Sequence, residues 1–185
     1  MAEGAGTHRP PGPVDPVGGK LASEKMTADS EPGGASIVPM AANHLGDVAA
    51  LCKELGYDAQ TEDVGARFGE LKNDPDSGLF VALGAVGAVL GCLHIFQRPM
   101  LEDAPCPKVQ ALIAAAAGRH RGHGSRLLAR AEAWAPEWGL SRMVIYSAGE
   151  RIDAHAFYSG AGYRAIPEVH KHVKSLGGPG DKAAG

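Results

Sequence analysis

The chain has 185 residues and carries 18 Lys and Arg against 21 Asp and Glu, a formal net charge of −3. This mild acidity gives no reason to expect bulk binding to nucleic acid or to an anionic membrane, and the length is that of one domain. Three cysteines are too few and too scattered for a disulfide framework or a zinc site. No apolar run approaches the roughly 20 residues that span a bilayer, and no secretory signal is recognisable, so a cytoplasmic protein is expected.

Composition divides the chain into three segments. Of the first 34 residues, 12 are Gly or Pro and large apolar residues are almost absent. Residues 1–35 are therefore predicted to be a tail that cannot bury enough surface to fold. Residues 176–185 are predicted to be a second, shorter tail. The folded domain is expected to span residues 36–175, a usual domain length.

The first predicted elements are a strand and two helices. Residues 36–40 form a strand that Pro39 confines to a sheet edge. Asn43 precedes an apolar run with a period of 3.6 residues, which predicts a capped helix that Gly56 ends. Thr61, followed by two acids, opens the second helix.

The middle of the chain is predicted to contain three strands and a long helix. Residues 79–83 and 86–96 are two apolar runs around glycines, which indicates a hairpin. Residues 109–115 are the next strand, and residues 127–138 have an apolar helical face. Pro136 lacks an N–H group, so this helix is expected to kink or to end early.

The last predicted elements are a short strand at residues 142–147 and a short helix at residues 153–159. Two final strands are predicted at residues 163–166 and 169–173. The predicted order is a strand, two helices, three strands, a helix, a strand, a helix and one or two strands, which is a mixed α/β arrangement.

Residues 119–126 connect a predicted strand to a predicted helix. Gly122 and Gly124 let the backbone approach a ligand closely, because neither residue has a Cβ atom. The N–H groups at the start of the helix point the same way, with the positive end of the helix dipole behind them. Charge or further hydrogen bonds are offered by Arg119, His120, Arg121, His123 and Arg126. The simplest ligand for this place is a phosphate or a pyrophosphate.

Two motifs resemble the GCN5-related N-acetyltransferase (GNAT) superfamily. Arg119-x-x-Gly122-x-Gly124 is similar to the pyrophosphate loop of that superfamily. About 35 residues downstream, Ala154-His-Ala-Phe-Tyr-Ser-Gly-Ala-Gly-Tyr163 is similar to its second common motif. The resemblance implies the GNAT fold, with a central, mostly antiparallel sheet that contains a splayed pair of parallel strands and is flanked by helices.

The resemblance also implies acetyl-coenzyme A as the co-substrate. The pantetheine arm would pair with the backbone of the fourth strand at Leu112, Ile113 and Ala114. The pyrophosphate would be held by the backbone amides of Arg119, His120, Arg121, Gly122, His123, Gly124 and Ser125. Arg119, Arg121 or Arg126 would reach a phosphate from the side. Two loop histidines without a third ligand nearby do not predict a metal site, and phosphate proximity explains them better.

Tyr158, in the second motif, has two interpretations. In the superfamily a tyrosine at this place commonly lies near the cofactor sulfur and protonates the leaving thiolate, and a phenol with a pKa near 10 suits that role. The other interpretation is a half-buried aromatic ring that packs the short helix. The first interpretation is the one adopted, with Tyr158 as the general acid.

The general base is where the chain departs from the superfamily. Lys108 and Ala115 stand where relatives often carry acids. Candidates within the chain are Glu102 and Asp103 in the preceding loop, and His94 on the third strand. A histidine on a strand is more often satisfied by hydrogen bonds than catalytic, and loop acids are more often plain surface groups. Water, or an amine that enters already neutral, is the remaining alternative.

These observations predict an N-acetyltransferase that moves an acetyl group to a primary amine by direct attack. No Cys or Ser lies in an activated setting for an acyl-enzyme. The acceptor is expected to be a small-molecule amine or a protein amine, and the protein a monomer or a homodimer. The alternative is a degenerate domain that binds acetyl-coenzyme A or coenzyme A as a sensor or interaction module.

Overall fold

The computed structural model describes residues 35–118, 120–137, 139, 142–147, 151–166, 172 and 174. The predicted tail at residues 176–185, all but the last residue of the tail at 1–35 and most of the predicted strand at 169–173 lie outside the described residues. The domain limits of 36–175 therefore stay a prediction.

Five strands form one sheet in the order β1-β2-β3-β4-β5. The first four pair antiparallel with their neighbours, and β5 runs parallel to β4. This confirms the predicted α/β fold with a mostly antiparallel sheet and one parallel pair. The strands are β1 (Ser36–Pro39), β2 (Ser77–Leu83), β3 (Val89–Phe96), β4 (Lys108–Ala114) and β5 (Val144–Ile145).

Helices cover both faces of the sheet. They are α1 (Leu45–Glu54), α2 (Thr61–Leu71), α3 (His123–Glu137) and α4 (Ile152–Gly160). Successive side chains of a strand point to opposite faces, so β3 serves two cores. Leu93 belongs to the core that contains Leu127 and Trp134 of α3, and Cys92 belongs to the core that contains Leu51 of α1.

Two helix starts differ from the prediction. Asn43 does not cap α1, because Ala42–His44 form a 3₁₀ turn and the ring Nδ1 of His44 accepts a hydrogen bond from the N–H of Ala41, at 3.1 Å. Helix α3 begins at His123, four residues before the predicted start, and continues through Pro136 to Glu137. The glycine motif therefore lies partly within the first turn of α3.

The predicted strand at residues 163–166 is wrong. Tyr163 directs its N–H group back to the carbonyl of Tyr158, at 3.0 Å, and Gly162 does the same towards Ser159. These bonds close the C-terminal end of α4. They occupy the N–H group of Tyr163, the first residue of the predicted strand, and residues 163–166 have no regular structure.

Gly91 is required where β3 and β4 approach each other. A Cβ atom there would lie 2.6 Å from the carbonyl oxygen of Ile113 and 2.9 Å from Leu127 Cδ1. Gly91→Ala is expected to lower the free energy of unfolding by about 2 kcal/mol, in the range of overpacked cores. Gly46→Ala is the control, because a Cβ atom there meets nothing within 4 Å. Urea unfolding tests this, and equal stability of the two variants would contradict it.

Candidate active site

Strands β4 and β5 are paired only at their first residues. Lys108 faces Val144 and Val109 faces Ile145, where β5 ends. Beyond Val109, within the part of the chain that the structure describes, β4 is paired with β3 alone. The sheet therefore has an opening along the outer edge of β4, beyond Val109 and as far as Ala114.

A β-bulge lies at the point where the opening begins. On the ladder between β3 and β4, Ile95 faces Val109 and His94 faces Ala111, so Gln110 is an extra residue on β4. A bulge of this kind bends its strand and increases the local twist. The bend accounts for the separation of β4 from β5.

The backbone of β4 offers alternate residues to the opening. The N–H of Ala115 donates to the carbonyl of Leu90 at 3.0 Å. This bond shows which residues near the end of β4 point their backbone groups at β3. Residues two apart point the same way, so Ile113 directs its N–H and C=O groups at β3. Leu112 and Ala114 direct theirs into the opening. Of the three predicted pantetheine contacts, Leu112 and Ala114 therefore offer backbone groups to the opening, whereas the backbone groups of Ile113 face β3.

The glycine loop leads into the start of α3 through two residues in the left-handed region. His120 has φ 62° and Gly122 has φ 80°, a region that is uncommon for a residue other than glycine. The N–H of Arg126 donates to the carbonyl of Gly122 at 3.0 Å, the first bond of the helix. The N–H groups just before it, including those of His123, Gly124 and Ser125, have no acceptor within the helix, which is the arrangement that helix N-termini offer to anions.

The side chains of the loop differ in exposure and in their partners. His123 is buried, and its Nδ1 makes no hydrogen bond with the described residues, so its imidazole faces the protein interior. Arg126 donates from Nη1 to the carbonyl of Ala35 at 2.9 Å and so ties α3 to the beginning of β1. His120, Arg121 and Ser125 are exposed. Arg119 lies outside the described residues.

The second motif packs directly on the first. A Cβ atom at Gly124 would lie 3.6 Å from Phe157 Cζ and 3.9 Å from Leu112 Cδ2. Phe157 of α4, the first turn of α3 and the open edge of β4 therefore meet at one point. The absence of a side chain at Gly124 permits this close approach.

Tyr158 lies next to that meeting point, on α4. Its ring is half-buried and contacts Phe157 and Tyr163, with ring centroids 5.2 Å and 6.1 Å away. Burial raises the pKa of Tyr158, and the positive charge of Arg151 partly opposes that rise. The phenol is therefore protonated at neutral pH and is suited to donate a proton.

Two hydrogen bonds connect the end of α1 to segments around the site. Glu54 Oε2 accepts a hydrogen bond from the N–H of Ala116 at 2.9 Å, just beyond the end of β4. Arg151 donates from Nη2 to the carbonyl of Leu55 at 3.3 Å, which links α4 to α1. Sequence patterns do not indicate the contact of Glu54 with Ala116, because the two residues are 62 positions apart.

The three candidate bases have different environments. Asp103 forms an ion pair with Arg142, whose hydrogen bond holds the pKa of that carboxyl below its usual range. Glu102 is exposed. His94 is half-buried, and its Nε2 makes no hydrogen bond with the described residues. The interpretation of His94 as a satisfied strand histidine is therefore wrong for Nε2.

The described part of the chain has neither a cluster of metal ligands nor a helix able to cross a bilayer. It contains no group of three or more His, Cys, Asp or Glu side chains arranged to hold a metal ion. None of its helices has the length and apolar character needed to cross a bilayer.

An open strand edge that leads to a helix N-terminus suits a ligand with an extended arm and a phosphate end, which is the shape of coenzyme A. The chain belongs to the acetyltransferase (GNAT) family, whose model matches residues 47–163. This confirms the predicted superfamily and, with it, acetyl-coenzyme A as the co-substrate. Among curated protein sequences there is no significant match.

Solved structures with the same fold include aminoglycoside antibiotic 6'-N-acetyltransferase AAC(6')-Ih from Acinetobacter baumannii. It is 18% identical with a TM-score of 0.68, and the match covers 78% of this chain and 100% of that one. AAC(6')-Iy in complex with CoA is 19% identical with a TM-score of 0.68, over 78% and 99%. A transcriptional regulator from Bacillus halodurans C-125 is 21% identical with a TM-score of 0.66, over 76% and 98%.

Proposed function

We propose that this protein transfers the acetyl group of acetyl-coenzyme A to a primary amine by direct attack. The observation that carries the proposal is the convergence of Phe157, the first turn of α3 at Gly124 and the open edge of β4 at Leu112. This convergence joins a helix N-terminus and a strand edge, and the Tyr158 ring contacts Phe157 beside them. The relatives that are named aminoglycoside N-acetyltransferases support an amine as the acceptor.

The cofactor would lie along β4. Its pyrophosphate would accept hydrogen bonds from the N–H groups of His123, Gly124 and Ser125, with Arg121 close by in the same loop. Its pantetheine arm would pair with Leu112 and Ala114, whose backbone groups face the opening. His123 would thus contribute its backbone and not its imidazole. Arg119 and His120 remain proposed loop contacts.

The reaction would form an amide bond and break a thioester bond. The amine nitrogen attacks the carbonyl carbon, and an N–H group of the strand edge, at Leu112 or Ala114, stabilises the negative charge on the carbonyl oxygen. The nitrogen loses one proton to a base or to water, the C–S bond breaks, and Tyr158 donates its phenolic proton to the departing thiolate.

The cysteines support direct attack without an acyl-enzyme. Burial raises the pKa of Cys92 to about 12 and also raises the pKa of Cys52. Cys106 is buried. A nucleophilic cysteine needs a lowered pKa and access to substrate, and none of these thiols has both.

A second candidate function is a domain that binds acetyl-coenzyme A without efficient turnover. Lys108 and Ala115, at positions where relatives often carry acids, favour it. The test is release of free thiol from acetyl-coenzyme A in the presence of a panel of small amines, aminoglycosides and peptides. Thermal stabilisation by acetyl-coenzyme A is measured alongside.

Thiol release with at least one amine, together with stabilisation, is expected for the acetyltransferase. Stabilisation with no release for any amine would favour the binding module. If acetyl-coenzyme A does not stabilise the protein at all, both the acetyltransferase and the binding module are contradicted.

A further inference from the structure

His94 has an unexplained buried nitrogen. Its Nε2 is shielded from solvent and makes no hydrogen bond with any residue that the structure describes. Leaving a buried polar atom without a partner is unfavourable, so such an atom in a native protein requires an explanation. The residues around it indicate which partner it is placed to meet.

The reactive end of the proposed cofactor would lie close to His94. The arm runs from the start of α3 along the outer edge of β4, past Ala114 and Leu112. Its far end approaches Val109, where β4 and β5 come together. The thioester would therefore lie beside Ala111, the residue that faces His94 across the ladder.

The side chains of His94 and Ala111 lie on the same face of the sheet. Directly opposed residues of an antiparallel pair have Cβ atoms roughly 5 Å apart. Because Ala111 has no side chain beyond Cβ, it does not obstruct the imidazole on the way to the edge of β4. This face is the one that α1 covers, since Ala111 packs against the core that contains Val48 and Leu51.

We propose that His94 is the general base of the acetyl transfer, which would make it a catalytic residue supplied by β3 in place of the acids missing from β4. The inference rests on the proposed function above. Attack by the neutral amine gives a tetrahedral adduct with a positively charged nitrogen. His94 Nε2 takes one proton from that nitrogen, directly or through one water molecule. The C–S bond then breaks, and Tyr158 donates one proton to the thiolate.

Exchange of protons with solvent returns His94 and Tyr158 to their starting states. One proton leaves the amine and one reaches the thiol, so the products are an amide and free coenzyme A. His94 then returns its proton to water, and Tyr158 regains one from water. No oxidant, reductant or further reactant is needed.

The surroundings of His94 keep it neutral and ready to accept a proton. Burial lowers its pKa, the positive charge of Arg98 lowers it further, and Asp74 opposes both. Other groups on this side of the sheet are Lys108, opposite Phe96 on β4, and Cys52 on α1, whose thiol is near Arg67 of α2. Because these influences together lower the pKa, activity should be lost only as the pH falls below the usual histidine value of 6.5.

The test is His94→Gln, which keeps a polar side chain of similar length that cannot take up a proton. With the amine that responds best, kcat is expected to fall by about tenfold and the acidic limb of the kcat/KM profile to disappear. The KM for acetyl-coenzyme A should stay within about twofold, because His94 touches no proposed cofactor contact. His155→Gln, the same change at an exposed histidine of α4, is the matched control and should keep both kcat and the acidic limb.

The outcomes separate this inference from the proposed function. Wild-type turnover with unchanged kcat and an unchanged acidic limb in His94→Gln would overturn the inference alone. No turnover by the wild type with any amine would overturn the proposed function and the inference together. If the Gln variant does not fold, as judged by stabilisation with acetyl-coenzyme A, His94→Asn replaces it. A wild-type profile without an acidic limb below pH 6.5 also overturns the inference.

Discussion

Replacing Tyr158 by Phe is expected to lower kcat for amine acetylation by about 10²-fold, the lower end of what a positioned general acid contributes. The affinity for acetyl-coenzyme A should stay within about twofold. Only the phenolic oxygen is removed, so the ring keeps its contacts with Phe157 and Tyr163. Thiol release at saturating cofactor measures kcat, and calorimetric titration measures the affinity.

Tyr163→Phe is the matched control for that experiment. Its hydroxyl group donates to Glu132 Oε1 at 3.0 Å, which joins the end of α4 to α3 and lies apart from the proposed chemistry. Removing it should cost about 1 kcal/mol of stability and leave kcat within a few-fold. Equal losses of kcat in the two variants would show that Tyr158 acts through packing.

The activity that depends on Tyr158 should be lost at high pH and not at low pH. The protonated phenol is the active form, and burial raises its pKa above the usual 10.0. Activity that depends on this proton is therefore retained through neutral and mildly basic pH and lost only as the pH rises above 10. The two limbs of the rate profile would thus belong to different residues, the acidic limb to His94 and the basic limb to Tyr158.

Local signals in the sequence were sufficient for most of the fold. The hairpin of β2 and β3, the end of α1 at Gly56 and the glycine turn before α3 depend on residues close together in the chain. Apolar alternation and glycine spacing report such features directly. The mixed sheet with its parallel β4–β5 pair followed from the order of these elements and from the resemblance.

The features that the sequence did not reveal depend on residues far apart in the chain. Arg126 was one of three arginines proposed to reach a cofactor phosphate, and its Nη1 bonds to the carbonyl of Ala35, 91 positions away. Glu54 bonds to Ala116 in the same way from a distant helix. No periodicity in the sequence reveals such pairs, because the residue type alone does not show whether a side chain is exposed to solvent or hydrogen-bonded to a distant segment.

The bulge at Gln110 belongs to the same class of features. Nothing in the run Val-Gln-Ala distinguishes a bulged strand from a regular one, because a bulge is a relation between two strands. The bulge nonetheless determines which backbone groups of β4 point away from β3. As a result, the N–H and C=O groups of Leu112 and Ala114 face the opening, and those of Ile113 do not. The bulge also places Ala111 opposite His94.

Gly124→Asp is expected to weaken the binding of acetyl-coenzyme A at least tenfold, which corresponds to about 1.4 kcal/mol. The new carboxylate would stand in the first turn of α3, beside the N–H groups proposed to hold the pyrophosphate. It would repel the phosphates and compete with them for the same donors. Calorimetric titration with acetyl-coenzyme A gives the affinities of the wild type and the variant.

Two controls separate charge from bulk and from effects on folding. In Gly124→Ala the new Cβ atom would lie 3.6 Å from Phe157, an ordinary contact, so most of the affinity should be retained. Gly46→Asp adds the same charge to the first turn of α1, where a Cβ atom has open space around it, and should leave the affinity unchanged. If Gly124→Asp binds acetyl-coenzyme A as tightly as Gly46→Asp does, the loop is not part of the cofactor site. If Gly124→Ala loses as much as Gly124→Asp, close packing against Phe157 controls the site and charge does not.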